Sequence, residues 1–514
     1  MKFRAFPLPL FVALTQTLPV HAALSLAPIF SDHAVFQRDV PVPIWGQASP
    51  GERITVAFKT QKVDTTADVS GRWRVNLAPL AADTVPAELT VSGHENLIVH
   101  DVLVGEVWLA SGQSNMEWPV SYLRDDERKL AAVNLPLLRE LKIEHAVAAE
   151  PARIAKTSGW RSAAPATVGD FSAVGYFFAR ELQRKLGVPV GIINASWGGT
   201  EIEAWLGDDA RAATSLGATI DARWRQAMSE WPAERVARYP GELAAWQKAE
   251  EVAKAAHSKN LLPWPPPPAT PDSQRRPGGL FNAMIAPLRP AALRGFIWYQ
   301  GESNVDRPVE YAELFAALIR SWRKSWANPL SPAGIEVAAP FYFVQLPNYG
   351  DGQPAGRKWA RLREAQARVL TLPATGMAVA IDAGEVDNLH PTAKAEIARR
   401  LALIAKVQTY GIPGDFSGPA FAGVTREGSA LRVRFYHAGT GIVAHDRPGQ
   451  ALEIAGADKV FHPANVRIDR DSLLLSSSAV KEPIAARYAW SNAPIANLYN
   501  GAGLPMVPFR SDDW

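Results

Sequence analysis

Between about residues 102 and 411 the chain alternates short apolar runs with longer stretches of helical spacing, and that alternation leaves few folds open. Residues 104–110, 188–194, 296–299, 341–344 and 377–381 each read as a strand. Val174, Phe178, Leu182 and Leu186 fall at helical spacing over 171–186, and Tyr311, Phe315, Leu318 and Trp322 do so over 308–324. Further helices are predicted near 357–370 and over 391–407, the last opened by Pro391. Buried strands separated by helices belong in a parallel sheet covered on both faces. The fold class is therefore α/β.

The flanks have a different character. Over 23–101, short alternating runs such as 53–58 and 73–77 are broken by turn residues at 49–51 and 70–71, which predicts a small β-sandwich. From 412 to the end the pattern is again β, with runs at 430–435 and 472–476. Residues 207–280 interrupt the central alternation as a helix-rich, polar insertion ending near the proline run 262–268, and read as either a lid or a surface decoration. At 514 residues, two or three domains are expected.

Charge and composition exclude some roles. The net charge of +3 is spread without a basic stripe, so nucleic acid is not an expected partner. There is no cysteine, which removes disulfides, thiolate metal sites and a thiol nucleophile. Seventeen tryptophans suit both a core and flat faces for stacking sugars. At the N-terminus Lys2 and Arg4 precede an apolar run over 6–18, and residues 20–22 offer small side chains for cleavage after Ala22. This predicts a signal peptide over 1–22 and an exported, periplasmic or secreted product with no membrane insertion after cleavage. No later stretch reaches the ~20 apolar residues of a membrane span.

The polar blocks fall where a parallel sheet binds its ligands, outside the carboxyl ends of the strands. Ser114 follows the first strand, residues 194–200 the second, residues 300–304 the third and residues 382–390 the last. A serine hydroxyl becomes a nucleophile when a histidine takes its proton, and the histidine needs a carboxylate to fix its tautomer. Ser114, His390 and Asp387 can fill these roles. Glu302 is an alternative carboxylate, and Asp387 with His390, Asp382 and Glu385 could instead be part of a metal site. For a tetrahedral oxyanion the donors on offer are the Ser114 N–H, an N–H from Gly198 or Gly199, and the Gln300 amide. Gln113, Asn115, Glu302 and Asn304 are candidates to contact substrate. The remaining histidines of the mature chain, His145 among them, are expected to be surface or structural.

Four ordered blocks, 112–116, 196–200, 298–304 and 387–391, together resemble the sialate O-acetylesterase family within the wider SGNH hydrolases, and residues 486–490, 497–500 and 503–505 extend the likeness. The resemblance implies a flavodoxin-like catalytic domain and deacetylation of sugar O-acetyl groups without metal or other cofactor. It implies a Ser-His-Asp triad of Ser114, His390 and Asp387. In some related sugar esterases the Glu of the Gln-Gly-Glu block serves as the acid, which would be Glu302 here. The substrate implied is an acetylated carbohydrate, either sialic acid or a plant polysaccharide such as xyloglucan or xylan. Two other readings share these residues: a non-catalytic glycan-binding protein on the same fold, and a lipase or thioesterase with the same triad.

Overall fold

The computed structural model describes residues 23–255, 265, 267–326, 338–446 and 449–514. The signal peptide expected over 1–22 and part of the proline run lie outside the described residues. At the centre is the main path of an 11-stranded sheet. Its strands are β1 (Asn96–Gly112), β2 (Leu135–Ile143), β3 (Thr157–Ala163), β4 (Val190–Ser196), β5 (Gly295–Tyr299), β6 (Phe341–Gln345) and β7 (Thr375–Val379). They lie in the order β3-β2-β4-β1-β5-β6-β7. All neighbours are parallel except β3, which runs antiparallel to β2 at the edge. Every residue of β4, β5, β6 and β7 is buried, as expected where helices cover both faces.

Without β2 and β3, the spatial order is β4-β1-β5-β6-β7, or 2-1-3-4-5 in chain order. That doubly wound order reverses direction beside the first strand, and the crevice at the reversal is where such sheets place ligands. The sequence reading missed β2 and β3. In β2 the charged pair Arg139 and Glu140 is buried, which masks the apolar alternation. Arg139 reaches the backbone and carboxylate of Asp101, and Glu140 accepts from the Ser172 N–H and the Asn194 amide.

The helix predicted over 171–186 starts two residues later, at its cap, while the one predicted over 308–324 starts at Pro308. Helix α2 (Ala173–Leu186, after the one-turn α1, Ser114–Glu117) is capped by the Ser172 hydroxyl, which accepts from the Gly175 N–H at 3.0 Å. It stops at Gly187, whose φ of 69° is left-handed. Helices α3 (Gly217–Ser229) and α4 (Ala233–Ala255) lie in the insertion. The series continues with α5 (Pro308–Ser325), α6 (Lys358–Arg368) and α7 (Lys394–Ile404). Pro391 does not open α7. Instead, the Glu385 carboxylate takes the N–H and hydroxyl of Thr392 at 2.9 Å each, closing residues 385–392 into a separate loop.

The flanking β regions are joined firmly to this centre. The chain does not break near residue 101, because β1 is one 17-residue strand. Its first half pairs antiparallel with Asp83–Ser92, and its second half is the central parallel strand. Behind it Glu106, fully buried, is clamped by Arg38 at 2.5 Å and Arg294 at 2.7 Å, an arrangement that satisfies a charge out of water. The C-terminal part forms small antiparallel sheets and docks on α6, where buried Arg363 donates to the carbonyls of Pro347, Ser491 and Asn492.

Candidate active site

The nucleophile's position begins with a glycine. Gly112 ends β1 at φ +135°, and a Cβ there would sit 2.1 Å from the Tyr299 carbonyl oxygen, so no other residue fits. The chain then turns: the Gln113 N–H donates to the Tyr299 carbonyl at 3.0 Å, and Ser114 opens the single turn of α1. Ser114 is left half-buried at the end of the strand. From the loop after β7, His390 brings Nε2 to 2.9 Å from Ser114 Oγ. The two residues are 276 positions apart in sequence, so only the fold makes this pair.

The surroundings hold the imidazole in place. Its ring stacks on Trp118 with centroids 4.5 Å apart, and its N–H on the backbone donates to Asn388 Oδ1 at 3.0 Å. Burial, and next the charge of Lys394, push the His390 imidazole down to about 4, so it is neutral at pH 7 with its proton-accepting nitrogen free. The Asp387 side chain is exposed and makes no hydrogen bond or ion pair with His390 among the described residues.

In the serine and the loop packed against it, two N–H groups have no acceptor among the described residues. Gly198 packs so closely that a Cβ on it would lie 3.2 Å from Ser114 Cβ. Its own N–H is taken by Glu117 Oε2 at 2.7 Å. The next N–H, of Gly199 at φ +69°, donates to no atom of the described residues, and neither does that of Ser114.

Gln300 is placed differently. It is fully buried, its Nε2 donates to the Thr200 carbonyl at 3.1 Å and to Asn304 Oδ1 at 2.8 Å, and its Oε1 accepts from the Tyr311 hydroxyl at 2.9 Å. Both amide hydrogens are therefore used, and the expected third oxyanion donor is a brace between loops. Asn304 is committed too: its Oδ1 also accepts from the Ile202 N–H, and one Nδ2 hydrogen goes to Glu203. Gln113 Oε1 accepts from the Gly301 and Ser303 N–H groups, so it too holds loop to loop. None of the three presents these atoms to substrate.

Beneath the serine lies a buried charged cluster. Asn115 Nδ2 donates to Glu302 Oε1 at 2.5 Å and to the Leu389 carbonyl at 3.1 Å, and its Oδ1 accepts from Lys394 Nζ. Glu302 thus stands behind Asn115 and has no contact with His390. Burial raises its carboxyl and lowers the Lys394 ammonium to about 7. Asp382 is bound by Arg400 at 2.6 and 2.8 Å, away from His390, and Glu385 closes its own loop. The described residues contain no group of three or more His, Asp or Glu side chains placed to hold a metal ion.

Glu117, Gln274 and Lys394 escaped the sequence reading, and His145 has the structural role expected of it. His145 pairs with Glu117 at 2.7 Å and stacks on Trp197 at 4.2 Å, buttressing the Gly198 loop rather than lying free. Burial acts to raise the Glu117 carboxyl, but His145 and the Gly198 N–H hold it below its ordinary range. Gln274, from the insertion, donates to the Gly198 carbonyl at 2.8 Å. Lys394 supports Asn115. A signal existed for Glu117 alone, since three residues after Ser114 on a helical turn puts both on one face.

The Ser114–His390 pair thus lies at the switch point of a doubly wound sheet, where such folds place their ligands. Residues 104–406 match the model of the family described as carbohydrate esterase, sialic acid-specific acetylesterase, and the chain belongs to that family. It is a carbohydrate O-acetylesterase, a carboxylic ester hydrolase. The sialate O-acetylesterase of Rattus norvegicus is 31% identical over 94% of this chain and 94% of its own length. The sialate O-acetylesterase of Homo sapiens is 28% identical over 94% of this chain and 91% of its own. A carbohydrate acetylesterase from Xanthomonas citri has a similar structure, with a TM-score of 0.79, 37% identity, and coverage of 96% of this chain and 100% of that one.

Proposed function

We propose that the protein is an exported SGNH-type serine esterase that removes O-acetyl groups from carbohydrates through an acyl-enzyme. The observation that carries this reading is the 2.9 Å contact between Ser114 Oγ and His390 Nε2. His390 takes the Ser114 proton as Oγ bonds the acetyl carbonyl carbon. The N–H groups of Ser114 and Gly199 stabilise the oxyanion, each worth ~3 kcal/mol of barrier by analogy with single-donor removal. Collapse breaks the ester C–O bond, and His390 returns the proton to the sugar oxygen. Water then attacks the acetyl-serine by the same steps and releases acetate.

Asp387 is the carboxylate we assign to His390 Nδ1. It shares the loop with the histidine and has no partner of its own among the described residues, whereas Glu302 is tied to Asn115. Export rests on the N-terminal sequence. The acetylated substrate is a sialic acid, which the family description and the curated relatives support, or a hemicellulose such as xyloglucan or xylan.

Acetate release from acetylated sialosides and hemicelluloses, and from p-nitrophenyl acetate, tests the reading. Ser114→Ala should lower kcat by about 10⁴-fold or more on all of them. Turnover that survives this change would remove Ser114 from the mechanism.

A further inference from the structure

The insertion between β4 and β5 does more than decorate the surface. Its helix α3 and the residues leading into α4 close a cavity of about 320 Å³ against the loop that follows β4. That is the lower end of the usual size for a small-molecule site. Glu201, Trp224, Trp231, Arg235, Arg275 and Arg307 are among its lining residues. The cavity adjoins the chemistry through two chain neighbours. Glu201 is two residues past Gly199, so their Cα atoms are at most about 7 Å apart. Arg275 follows Gln274, which holds the Gly198 carbonyl.

The lining has the composition of a sugar site. Trp224 and Trp231 are each half-buried and present apolar rings. Trp231 is backed by the Arg235 guanidinium at 4.0 Å and by the edge of Tyr239 at 5.9 Å, which stiffens the ring. Glu201 is 6% exposed; one carboxylate oxygen accepts from Arg275, and the other is buried with no partner in the described structure. The Arg307 Nε–H is buried too, with Glu310 Oε2 3.6 Å away but no hydrogen bond made. A buried acceptor and donor left open cost stability until a ligand fills them, and a ring carrying hydroxyls above an apolar face can fill both.

Charge decides between a neutral and an acidic ring. Arg275 is paired with Glu201, Arg307 with Glu203 at 3.1 Å and Arg223 with Glu310 at 2.7 Å. Three of the four cations around the cavity are thus already neutralised, and an anionic sugar would meet the Glu201 and Glu203 carboxylates. We propose that this cavity is a binding subsite for a neutral pyranose adjoining the acetylated one, so that the enzyme prefers an acetylated oligosaccharide to a free acetylated monosaccharide. This deepens the acetylesterase reading and rests on it for the position of the acetyl group.

The test compares Trp224→Ala and Trp231→Ala with the unaltered full chain, on acetylated xylo- and cello-oligosaccharides and on p-nitrophenyl acetate. The subsite predicts a ten- to hundredfold fall in kcat/KM on the oligosaccharides, with p-nitrophenyl acetate within twofold. Trp231→Phe should restore most of the loss, since it keeps an aromatic face. Equal losses on both substrates, or none on either, would overturn the proposal. Calorimetric titration of Ser114→Ala with unacetylated xylohexaose and cellohexaose separates the two claims. Heat that disappears in the Ser114→Ala, Trp224→Ala double variant supports the subsite even if no acetylated sugar is hydrolysed. Absence of heat, in a chain that does deacetylate these oligosaccharides, rejects the subsite and leaves the esterase standing.

Discussion

The loops after β5 and β4 lie side by side at the switch point and carry similar polar residues, yet they do opposite things. After β5, Gln300 and Asn304 are buried, and their amide groups are held by Thr200, Tyr311, Ile202 and Glu203. After β4, the Gly198 loop is fixed from outside by Glu117 and Gln274 while the Gly199 N–H is left without an acceptor. In the first loop the Gln300 amide is spent on scaffold, while the second leaves an N–H without an acceptor. A ligand can be recognised only by atoms whose hydrogen bonds are not already spent, so the difference is why we propose the second loop, and not Gln300, for the oxyanion.

The contrast can be broken most sharply at Gln300. Gln300→Leu leaves Tyr311, Thr200 and Asn304 each short of a partner and should cost about 3 kcal/mol of stability. Denaturant unfolding would measure this, while kcat on p-nitrophenyl acetate for the folded fraction should change less than about tenfold. A 10²- to 10³-fold fall in kcat with unchanged stability would make Gln300 an oxyanion donor and reverse the comparison. The exposed side is tested by Asp387→Asn, for which kcat should fall about a hundredfold with the melting temperature unchanged. An unaltered kcat would leave His390 oriented by Trp118 and Asn388 alone.

A smaller effect is expected from pH. The base works as neutral imidazole, and its folded value is lowered from 6.5 to about 4. Activity is therefore present above that value and lost as pH falls through it, so kcat/KM for p-nitrophenyl acetate should show an acid limb near 4. A limb near the ordinary 6.5 would mean that His390 is solvated in the working enzyme. The least effect is expected from Gln274→Ala, which removes one hydrogen bond to the Gly198 carbonyl. A loss of about 1 kcal/mol, or roughly fivefold in kcat/KM, would place the insertion in support of the oxyanion loop. No change would leave that loop to Glu117 and His145.

Much of this site was legible in the chain because strand ends are. Apolar runs located β1, β4, β5, β6 and β7, and the blocks after β1 and β7 supplied Ser114 and His390, which the fold brings into contact. What was not legible is which polar side chains remain unspent. Gln300 reads as a donor in sequence, and only its neighbours Thr200, Tyr311 and Asn304 show that it has nothing left to donate. The partners of His145 were not legible because Glu117 and Trp197 come from two other segments. The strand β2 was hidden by buried charges whose partners, Asp101 and Asn194, lie on other strands.

The unbroken strand Asn96–Gly112 has a further consequence. The amino-terminal sheet and Ser114 lie at two ends of one beam, paired over 96–99, at 102 and 104 and over 106–112, with Asp101 at a φ of 55° between the two halves. A proteolytic nick or a truncation placed near residue 101 would not trim an accessory module but would saw through the support on which Ser114 rests. Engineering that shortens this enzyme has to begin elsewhere.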